Sequence, residues 1–397
     1  MIQNILHFIL FRLCHLQWLI IFADDSGLGG YSAMIFKSVG IITKMSKNFG
    51  AVLQAFALKT AVEKLGCEAR IINYNGAIGN ETYQVLKKID SIQDIKTNIL
   101  SIKHYNEIKR GSFKFQSFRD RYFSLTDPYI CLDDFRKNPP RFDTYIVGSD
   151  QVWNPSILFS PVYFLDFGEK NAKKISYAAS FGNNYLDSNY FNPISTLLLN
   201  LDDISIREKS GIPILHELGY NGKVVLDPTL LLNVQEWRTI EIEYSRLVGH
   251  KYILCYFLHV NQEIIHTVEY IKKETGLDVV NIATNVRLPR FGDTILWDVG
   301  PEEFVWLIDN AEIVLTSSFH GTVFSFLFQK KFVSFRINCK DSRLYDLLND
   351  LAILDRLVDY PYTDIRINNN PCFINAIDNH NKRKEESLRF LADNLTV

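Results

Sequence analysis

Short apolar runs alternate with longer amphipathic stretches along most of the chain. The first unit is the clearest: residues 37–43 are apolar enough to predict a strand, residues 49–66 predict a helix that ends at Gly66, and residues 69–74 predict the next strand. Strands that alternate with helices in this way form parallel sheets covered by helices. The pattern therefore predicts an α/β fold.

The same alternation continues for most of the remaining chain. Further strands are predicted at residues 142–150, 162–167, 173–182, 204–208, 223–228, 252–258, 277–283, 311–316 and 331–335. A helical, charge-rich insertion interrupts the first set of strands between about residues 80 and 123. Because the pattern restarts near Asn233, we predict two Rossmann-like domains facing a cleft, residues 34–232 and 233–378, and a C-terminal helix at residues 379–397.

The first 33 residues do not continue this pattern. Residues 6–22 are apolar but contain His7, Arg12 and His15, and no basic stretch precedes them as a signal peptide requires. A membrane anchor is one alternative, although the apolar run barely reaches the length of a span. The alternative we favour is that Met34 is the biological start and residues 1–33 lie outside the core. N-terminal sequencing that found Met1 would rule this out.

Composition limits the kinds of partner that the protein can have. Lysine and arginine (43) nearly balance aspartate and glutamate (45), so no global field attracts nucleic acid or an anionic membrane. The six cysteines are far apart and form no C-x-x-C pair, which argues against a zinc site or a disulfide framework and favours a reducing cytoplasm. We therefore expect any anion site to be local, and we expect no metal.

Polar loops follow three of the predicted strands, after Ile42, Val147 and Thr316. Open parallel sheets bind ligands at the carboxyl ends of their strands, so these loops are candidates for a site. The loop after Val147 supplies donors and acceptors close together in sequence, namely Ser149, Asp150, Gln151, Trp153 and Asn154. The alternative is that the polar residues cap a turn and that the indole covers the core.

Arg207 and His320 are the two candidates for chemistry with anions. Arg207 ends a predicted strand, where a guanidinium can hold a phosphate or carboxylate, and the competing fate is an ion pair with Glu208. His320 lies at a predicted helix start with Ser318 and Gly321, where backbone N–H groups attract anions; alternatively, it hydrogen-bonds a neighbouring carbonyl. Asn48 and Gly50 offer a weaker phosphate nest.

Several segments, in order, resemble the polysaccharide pyruvyl transferase family. They are NFGAVLQAFAL (48–58), YIVGSDQVWN (145–154), SYAASFG (176–182), SIREKSG (205–211), VLDPTLLL (225–232) and TSSFHGTVFSFLFQKKFVSF (316–335), with a looser match at 342–351. Leader residues 1–33 have no counterpart, and residues 351–356 lack the glycine that is common in the family. Neither departure touches the proposed site.

This resemblance implies a GT-B-like fold and transfer of a pyruvyl group from phosphoenolpyruvate to two hydroxyls of one sugar, forming a ketal. It implies His320 as general acid/base, Arg207 as anion clamp, and Asp150 as an orienting group in the same cleft. The donor-binding residues would be Arg207, Ser318, His320, Gly321, Asn48 and Gly50, and acceptor-side residues would be Ser149, Gln151, Trp153 and Asn154. The donor is a substrate, and no cofactor is expected.

Two other interpretations compete with this one. A glycosyltransferase would use the same fold and helix start to bind the diphosphate of a nucleotide sugar. A non-catalytic sugar-binding member would keep the fold without the chemistry. For the transferase, we expect a cytoplasmic enzyme of exopolysaccharide or capsule synthesis that meets a sugar or lipid-linked acceptor at the inner membrane face.

Overall fold

The computed structural model describes residues 37–75, 92–157, 159–169, 171–283, 285–286, 288–337, 342–360, 362 and 373–395. The predicted leader and the first part of the predicted insertion therefore lie outside the described residues. Within the described part of the chain, no helix is both long and apolar enough to cross a membrane.

The strands and helices alternate in chain order as the apolar pattern predicts. The strands are β1 (Ser38–Ile42), β2 (Glu68–Ile71), β3 (Thr144–Val147), β4 (Lys173–Ser176), β5 (Ser205–Ile206), β6 (Lys223–Val224), β7 (Tyr252–Tyr256), β8 (Asp278–Ile282), β9 (Thr294–Leu296), β10 (Ile313–Thr316), β11 (Lys331–Arg336) and β12 (Leu357–Asp359). The helices are α1 (Phe49–Lys64), α2 (Ile92–Lys103), α3 (Tyr105–Tyr122), α4 (Leu132–Lys137), α5 (Phe191–Leu198), α6 (Gly211–Glu217), α7 (Val234–Arg238), α8 (Gln262–Thr275), α9 (Pro301–Asn310), α10 (Phe319–Leu327), α11 (Arg343–Asp350) and α12 (Ile374–Leu395).

The first half of the described chain forms a parallel sheet in the order β2-β1-β3-β4. The register pairs Ile42 with Val147, so the carboxyl ends of β1 and β3 lie side by side. A parallel bridge between Ile175 and Asp203, next to the short β5-β6 pair, continues the sheet on the far side of β4. The loops after β1, β3, β5 and β6 therefore leave the sheet at the same edge.

The second half forms a larger parallel sheet in the order β12-β11-β10-β7-β8-β9. The chain passes from the first set of strands to the second between Val224 and Tyr252, a span that contains the predicted boundary at Asn233. Two parallel sheets with intervening helices confirm the predicted α/β class with two Rossmann-like parts, and the architecture is GT-B-like.

One predicted strand is wrong. Residues 162–167 do not form a strand; a 3₁₀ turn spans Pro161–Phe164 and ends at Leu165, whose φ of 55° is left-handed. Val162, Tyr163 and Phe164 are buried in this turn. A short buried apolar run has the same sequence pattern in a strand as in a helical turn, and proline at the first helical position favours the turn.

The C-terminal helix begins earlier than predicted, at Ile374, and returns to the first half of the chain. The backbone N–H of Leu226 donates to Ser387 Oγ over 2.9 Å, and His380 Nε2 lies 2.8 Å from the carbonyl oxygen of Leu230. These contacts hold α12 behind the loop that follows β6.

The described part of the insertion is helical, as predicted, and it joins the two halves. Helix α3 pairs with residues around the start of α9 through Arg110–Asp298 at 3.2 Å, Lys114–Glu303 at 2.6 Å and Arg121–Glu302 at 3.3 Å. Beside these ion pairs, Phe49 of α1 stacks on Phe304 of α9 with ring centroids 4.4 Å apart. The apolar core is therefore continuous between the two sheets.

Candidate functional site

The site lies where four loops of the first sheet meet the first turn of α10 from the second. The loop after β1 leads to Gly50, the loop after β3 carries Asp150, β5 is followed by Arg207, and β6 is followed three residues later by Asp227. Polar side chains interlock these loops: Gln54 Nε2 donates to Thr43 Oγ1 over 2.9 Å, and its Oε1 accepts from the N–H of Ser149 over 3.1 Å. The parallel register thus gathers residues that are distant in sequence.

His320 lies in the first turn of α10, as the sequence predicts. Ser318 is the N-cap of this helix, and its hydroxyl accepts from the N–H of Gly321 over 3.4 Å. A Cβ added at Gly50 would lie 2.0 Å from His320 Nδ1, so only glycine leaves room for the imidazole against α1. His320 is buried, and its Nε2 faces a carboxylate oxygen of Asp227 at 3.6 Å, which is too long for a hydrogen bond.

Arg207 is buried among carboxylates, with only 2% of its side chain exposed. Its Nη1 donates to Asp227 Oδ2 over 3.1 Å and lies 3.6 Å from Asp150 Oδ1, while Nε donates to Glu208 over 3.4 Å. The guanidinium carbon lies 4.6 Å from the centre of the Phe319 ring, within range of a cation–π contact. The ion pair with Glu208, which the sequence left as an alternative, is therefore part of the site.

Asp227 connects the arginine to the histidine. Its Oδ2 accepts from Arg207, lies 3.2 Å from the Ser149 hydroxyl and faces His320, while Oδ1 accepts from the N–H and the hydroxyl of Thr229 over 3.0 and 2.6 Å. Burial alone would raise the pKa of Asp227, but His320 and Arg207 hold it well below its usual range. The carboxylate is therefore ionised, and it lies between Arg207 and His320.

Two nitrogens of this cluster are buried without a hydrogen-bond partner among the described residues: Arg207 Nη2 and His320 Nε2. Buried donors are almost always satisfied, and leaving one unsatisfied costs about 1 to 3 kcal/mol, more for a charged group. Burial alone would lower the pKa of the Arg207 guanidinium, but Glu208 and Asp227 raise it above its usual value. The guanidinium therefore stays charged, and the arrangement has unused capacity to donate to an anion.

Asp150 lies at the outer side of the cluster. Its φ of 68° is left-handed, a conformation that costs a non-glycine residue energy and that is common at functional sites. Burial, the largest single effect, would raise the pKa of its carboxyl, but Arg207 and the other basic side chains nearby together lower it. Asp150 is thus an ionised group held at the edge of the cluster.

The four predicted acceptor-side residues do not share one environment. Ser149 is fully buried behind Asp227, and Trp153 is a core residue whose indole N–H donates to the carbonyl of Tyr163 over 2.8 Å. Asn154 is buried and donates to Gln151 Oε1 over 2.8 Å. Trp153 therefore covers the core, which was the alternative to a sugar platform, and only Gln151 is partly exposed.

Asn48 and Gly50 serve the start of α1. The side chain of Asn48 is the N-cap and accepts from the N–H of Ala51 over 3.3 Å, and Gly50 packs on His320. Asn48 therefore caps α1, and Gly50 leaves room for the imidazole of His320.

Sequence reasoning missed three members of the site. Asp227 lies in the segment KVVLDP, just after the carboxyl end of a predicted strand. A polar residue in that position is a candidate for a site, as Asp150 was, so the same criterion could have found Asp227. Lys44, from the loop after β1, is buried beside Asp150 and donates to the carbonyl of Gln151. Phe319 faces Arg207 from the residue before His320, and nothing in its sequence context distinguishes it from the many core phenylalanines.

An open pocket borders the cluster between the two halves of the chain. Arg207, Asp227 and Phe319 line one side of it, and Arg343, Asp346 and Asp350 of α11 line the other. In the described residues, no group of three or more His, Cys, Asp or Glu side chains is arranged to hold a metal ion. Arg207 can present its guanidinium to an anion in this pocket, whereas His320 and Asp150 are not among the residues that line it.

Solved structures with a similar course of the chain include UDP-GlcNAc 2-epimerases and a glycosyltransferase. UDP-GlcNAc 2-epimerase from Methanocaldococcus jannaschii, in complex with UDP-GlcNAc and UDP, has 15% identity and a TM-score of 0.49 over 89% of this chain and 98% of that one. A putative UDP-N-acetylglucosamine 2-epimerase from Listeria monocytogenes has 12% identity and a TM-score of 0.46 over 90% and 91%. A glycosyltransferase from Rickettsia africae has 10% identity and a TM-score of 0.42 over 91% and 94%.

Among proteins with curated functions, none matches the sequence significantly. The family model for polysaccharide pyruvyl transferase, in contrast, matches residues 48–338, a range that runs from the cap of α1 past the histidine loop and β11. It includes Asp150, Arg207, Asp227 and His320. The chain therefore belongs to the polysaccharide pyruvyl transferase family of enzymes.

Proposed function

We propose that the protein transfers a pyruvyl group from phosphoenolpyruvate to two hydroxyls of one sugar, in a surface polysaccharide or its lipid-linked precursor. Two C–O bonds form at C2 of the donor, and the bond from C2 to the phosphate oxygen breaks. The two sugar hydroxyls lose one proton each. One proton is matched by the proton added to the methylene carbon of the donor, and the other leaves with inorganic phosphate. The product is a cyclic ketal that carries a carboxylate.

The pair of unsatisfied nitrogens on Arg207 and His320 carries this proposal. Phosphoenolpyruvate has a phosphate and a carboxylate, and both groups accept hydrogen bonds from cationic donors. Because Asp227 holds Arg207 Nη1 at 3.1 Å and His320 Nε2 at 3.6 Å from the same oxygen, the two cationic side chains converge on one small region. A ligand with two anionic groups would satisfy both donors at once.

His320 is proposed to protonate the methylene carbon of the donor, which creates a cation-like centre at C2. One sugar hydroxyl attacks C2, phosphate then leaves, and the second hydroxyl attacks the centre that forms again. The neutral imidazole accepts the proton of the attacking hydroxyl, so a single group serves both halves. Asp150, at the edge of the cluster, is proposed to orient the acceptor.

The test is transfer of label from phosphoenolpyruvate carrying ¹⁴C in its pyruvyl carbons to a panel of free and lipid-linked sugars with neighbouring hydroxyls. We expect acid-labile label in the sugar fraction and release of an equal amount of phosphate. His320→Gln should slow transfer about 10²- to 10⁴-fold, the usual range for loss of a general acid/base. The matched control is His216→Gln, on the exposed face of α6, which should have wild-type activity. Equal activity of the His320→Gln variant would contradict the assignment.

A further inference from the structure

Helix α2 exposes its apolar face and buries its polar one. Ile95, Ile99 and Ile102 are exposed to 43%, 60% and 60%, and their spacing of four and three residues places them in one stripe on the helix. Thr97 and Ser101 lie on the other side of the helix and are buried, and Asn98, at the edge of the stripe, is also buried. A surface helix of a globular protein normally has the reverse arrangement, so burial in the core does not explain the isoleucine stripe.

The next helix also exposes large apolar side chains. Phe113 of α3 is exposed to 70% and Tyr105 to 43%. The other side of α3 faces the second half of the chain, where Lys114 and Arg121 form ion pairs with Glu303 and Glu302. The ion pairs fasten α3 to the rest of the protein while its aromatic side chains stay at the surface.

Exposed lysines also lie on these two helices. Residues 92–122 contain seven basic and three acidic residues, but Arg110, Lys114 and Arg121 are paired with Asp298, Glu303 and Glu302 of the second half. The basic residues are Lys96, Lys103, Lys109, Arg110, Lys114, Arg119 and Arg121, and the acidic ones are Asp94, Glu107 and Asp120. Lys103, beside the stripe at the end of α2, and Lys109, over the Tyr105 ring at 6.0 Å, are exposed.

We propose that α2 and α3 dock onto the surface of an anionic phospholipid bilayer, with Ile95, Ile99 and Ile102 inserted at the level of the headgroups. An exposed apolar stripe with an exposed lysine beside it is the pattern of an interfacial helix, and a lysine near such a surface gains electrostatic attraction to anionic lipid. Lys103 and Lys109 favour an anionic bilayer over a second copy of this chain, because two copies would bring the same positive charges together.

This surface and the proposed function are tested by different residues. Docking through α2 depends on neither the donor nor His320. Loss of docking with intact transfer in solution would therefore overturn only this inference, and loss of transfer with intact docking would overturn only the proposed function.

The first experiment is co-sedimentation of the full chain with vesicles of equal parts phosphatidylglycerol and phosphatidylcholine, and with vesicles of phosphatidylcholine alone. We expect binding to the anionic vesicles, and about tenfold or greater weakening in Ile99→Ser/Ile102→Ser, since burial of each side chain contributes. The matched control is Leu199→Ser/Ile242→Ser, which removes two exposed apolar side chains elsewhere and should bind as the wild type does.

A local probe separates α2 from any other part of the chain that binds lipid. The fluorescence of the added tryptophan is obtained by subtracting the emission spectrum of the parent protein. On anionic vesicles, the emission of Ile99→Trp should shift to the blue, and that of Leu199→Trp should not. No shift at position 99 would overturn the proposal, whatever the sedimentation result. A dimer in solution that Ile99→Ser/Ile102→Ser disrupts, without vesicle binding by the wild type, would also overturn it and would make the stripe an interface between copies.

Discussion

The Arg207 cluster and the contact between α3 and α9 both use arginines and carboxylates, but they differ in burial and in how completely the charges are satisfied. At the α3 contact, Arg121 is about half exposed and faces a single carboxylate, Glu302. In the cluster, Arg207 is enclosed, faces three carboxylates and keeps one nitrogen without a partner. The first arrangement joins two parts of the protein, and the second is suited to a ligand.

The difference shows why counting ion pairs does not locate a site. A half-exposed pair is screened by water and contributes little to stability. A buried cluster costs desolvation of every charge, and its retention with donors unsatisfied indicates that another partner completes it. Removal of charges from the two regions should therefore have very different consequences.

The largest effect is expected from Arg207→Met. This change leaves Asp150, Glu208 and Asp227 buried without their shared counter-charge, and removal of one partner of a buried ion pair costs about 3 to 5 kcal/mol. Urea unfolding should show a loss of that size. A loss below about 1 kcal/mol would mean that water reaches these carboxylates.

Gly50→Ala should have the next largest effect. The new Cβ would lie 2.0 Å from His320 Nδ1, so the imidazole or α1 must move, at a cost of about 1 to 3 kcal/mol for overpacking. Transfer activity should fall with stability because His320 is displaced. The double variant Gly50→Ala/His320→Ala should recover most of the stability, as measured by a double-mutant cycle. Additive losses would contradict the close approach.

Glu241 lies outside the Arg207 cluster but also has a buried polar atom without a partner in the described part of the chain. It therefore tests whether such an atom alone is sufficient to mark a functional site. Its Oε1 has no partner among the described residues, and burial together with the neighbouring Asp309 raises its pKa to about 7. Because the folded pKa lies above the unfolded one, stability should be full below about pH 4 and should fall between that pH and 7. Glu241→Gln should therefore raise Tm at pH 8 but leave it unchanged at pH 4, with transfer activity unaffected. A lower Tm at pH 8 would contradict this assignment.

The smallest effect is expected at the exposed pair. Arg121→Met should cost less than about 1 kcal/mol, because Arg121 is about half exposed and its charge is screened. Urea unfolding beside the Arg207→Met variant measures the contrast directly. Equal losses of stability in the two variants would show that the buried Arg207 cluster and the half-exposed Arg121–Glu302 pair do not differ in this respect.

The sequence was sufficient to predict the fold class, most strands, and the loops of Asp150, Arg207 and His320, because parallel strands have strong apolar patterns and place polar residues at one edge. The role of Gly50 could not be predicted, since it depends on the packing of α1 against a histidine from the other half. Trp153 was ambiguous for a related reason: an indole has the same sequence signature in the core and on a sugar platform. The predicted strand at 162–167 was wrong because local apolarity does not distinguish a buried strand from a buried 3₁₀ turn.

Thermal stabilisation of the full chain by phosphoenolpyruvate, compared with UDP-GlcNAc, tests most directly whether phosphoenolpyruvate is the donor. A donor present at 100 times its Kd should add about 2.7 kcal/mol to the free energy of unfolding. We predict stabilisation by phosphoenolpyruvate alone, and its loss in Arg207→Lys, which keeps the charge but not the second nitrogen of the fork. Stabilisation by UDP-GlcNAc, with no response to phosphoenolpyruvate, would contradict the proposed donor. It would indicate that the Arg207 cluster binds the diphosphate of a nucleotide sugar.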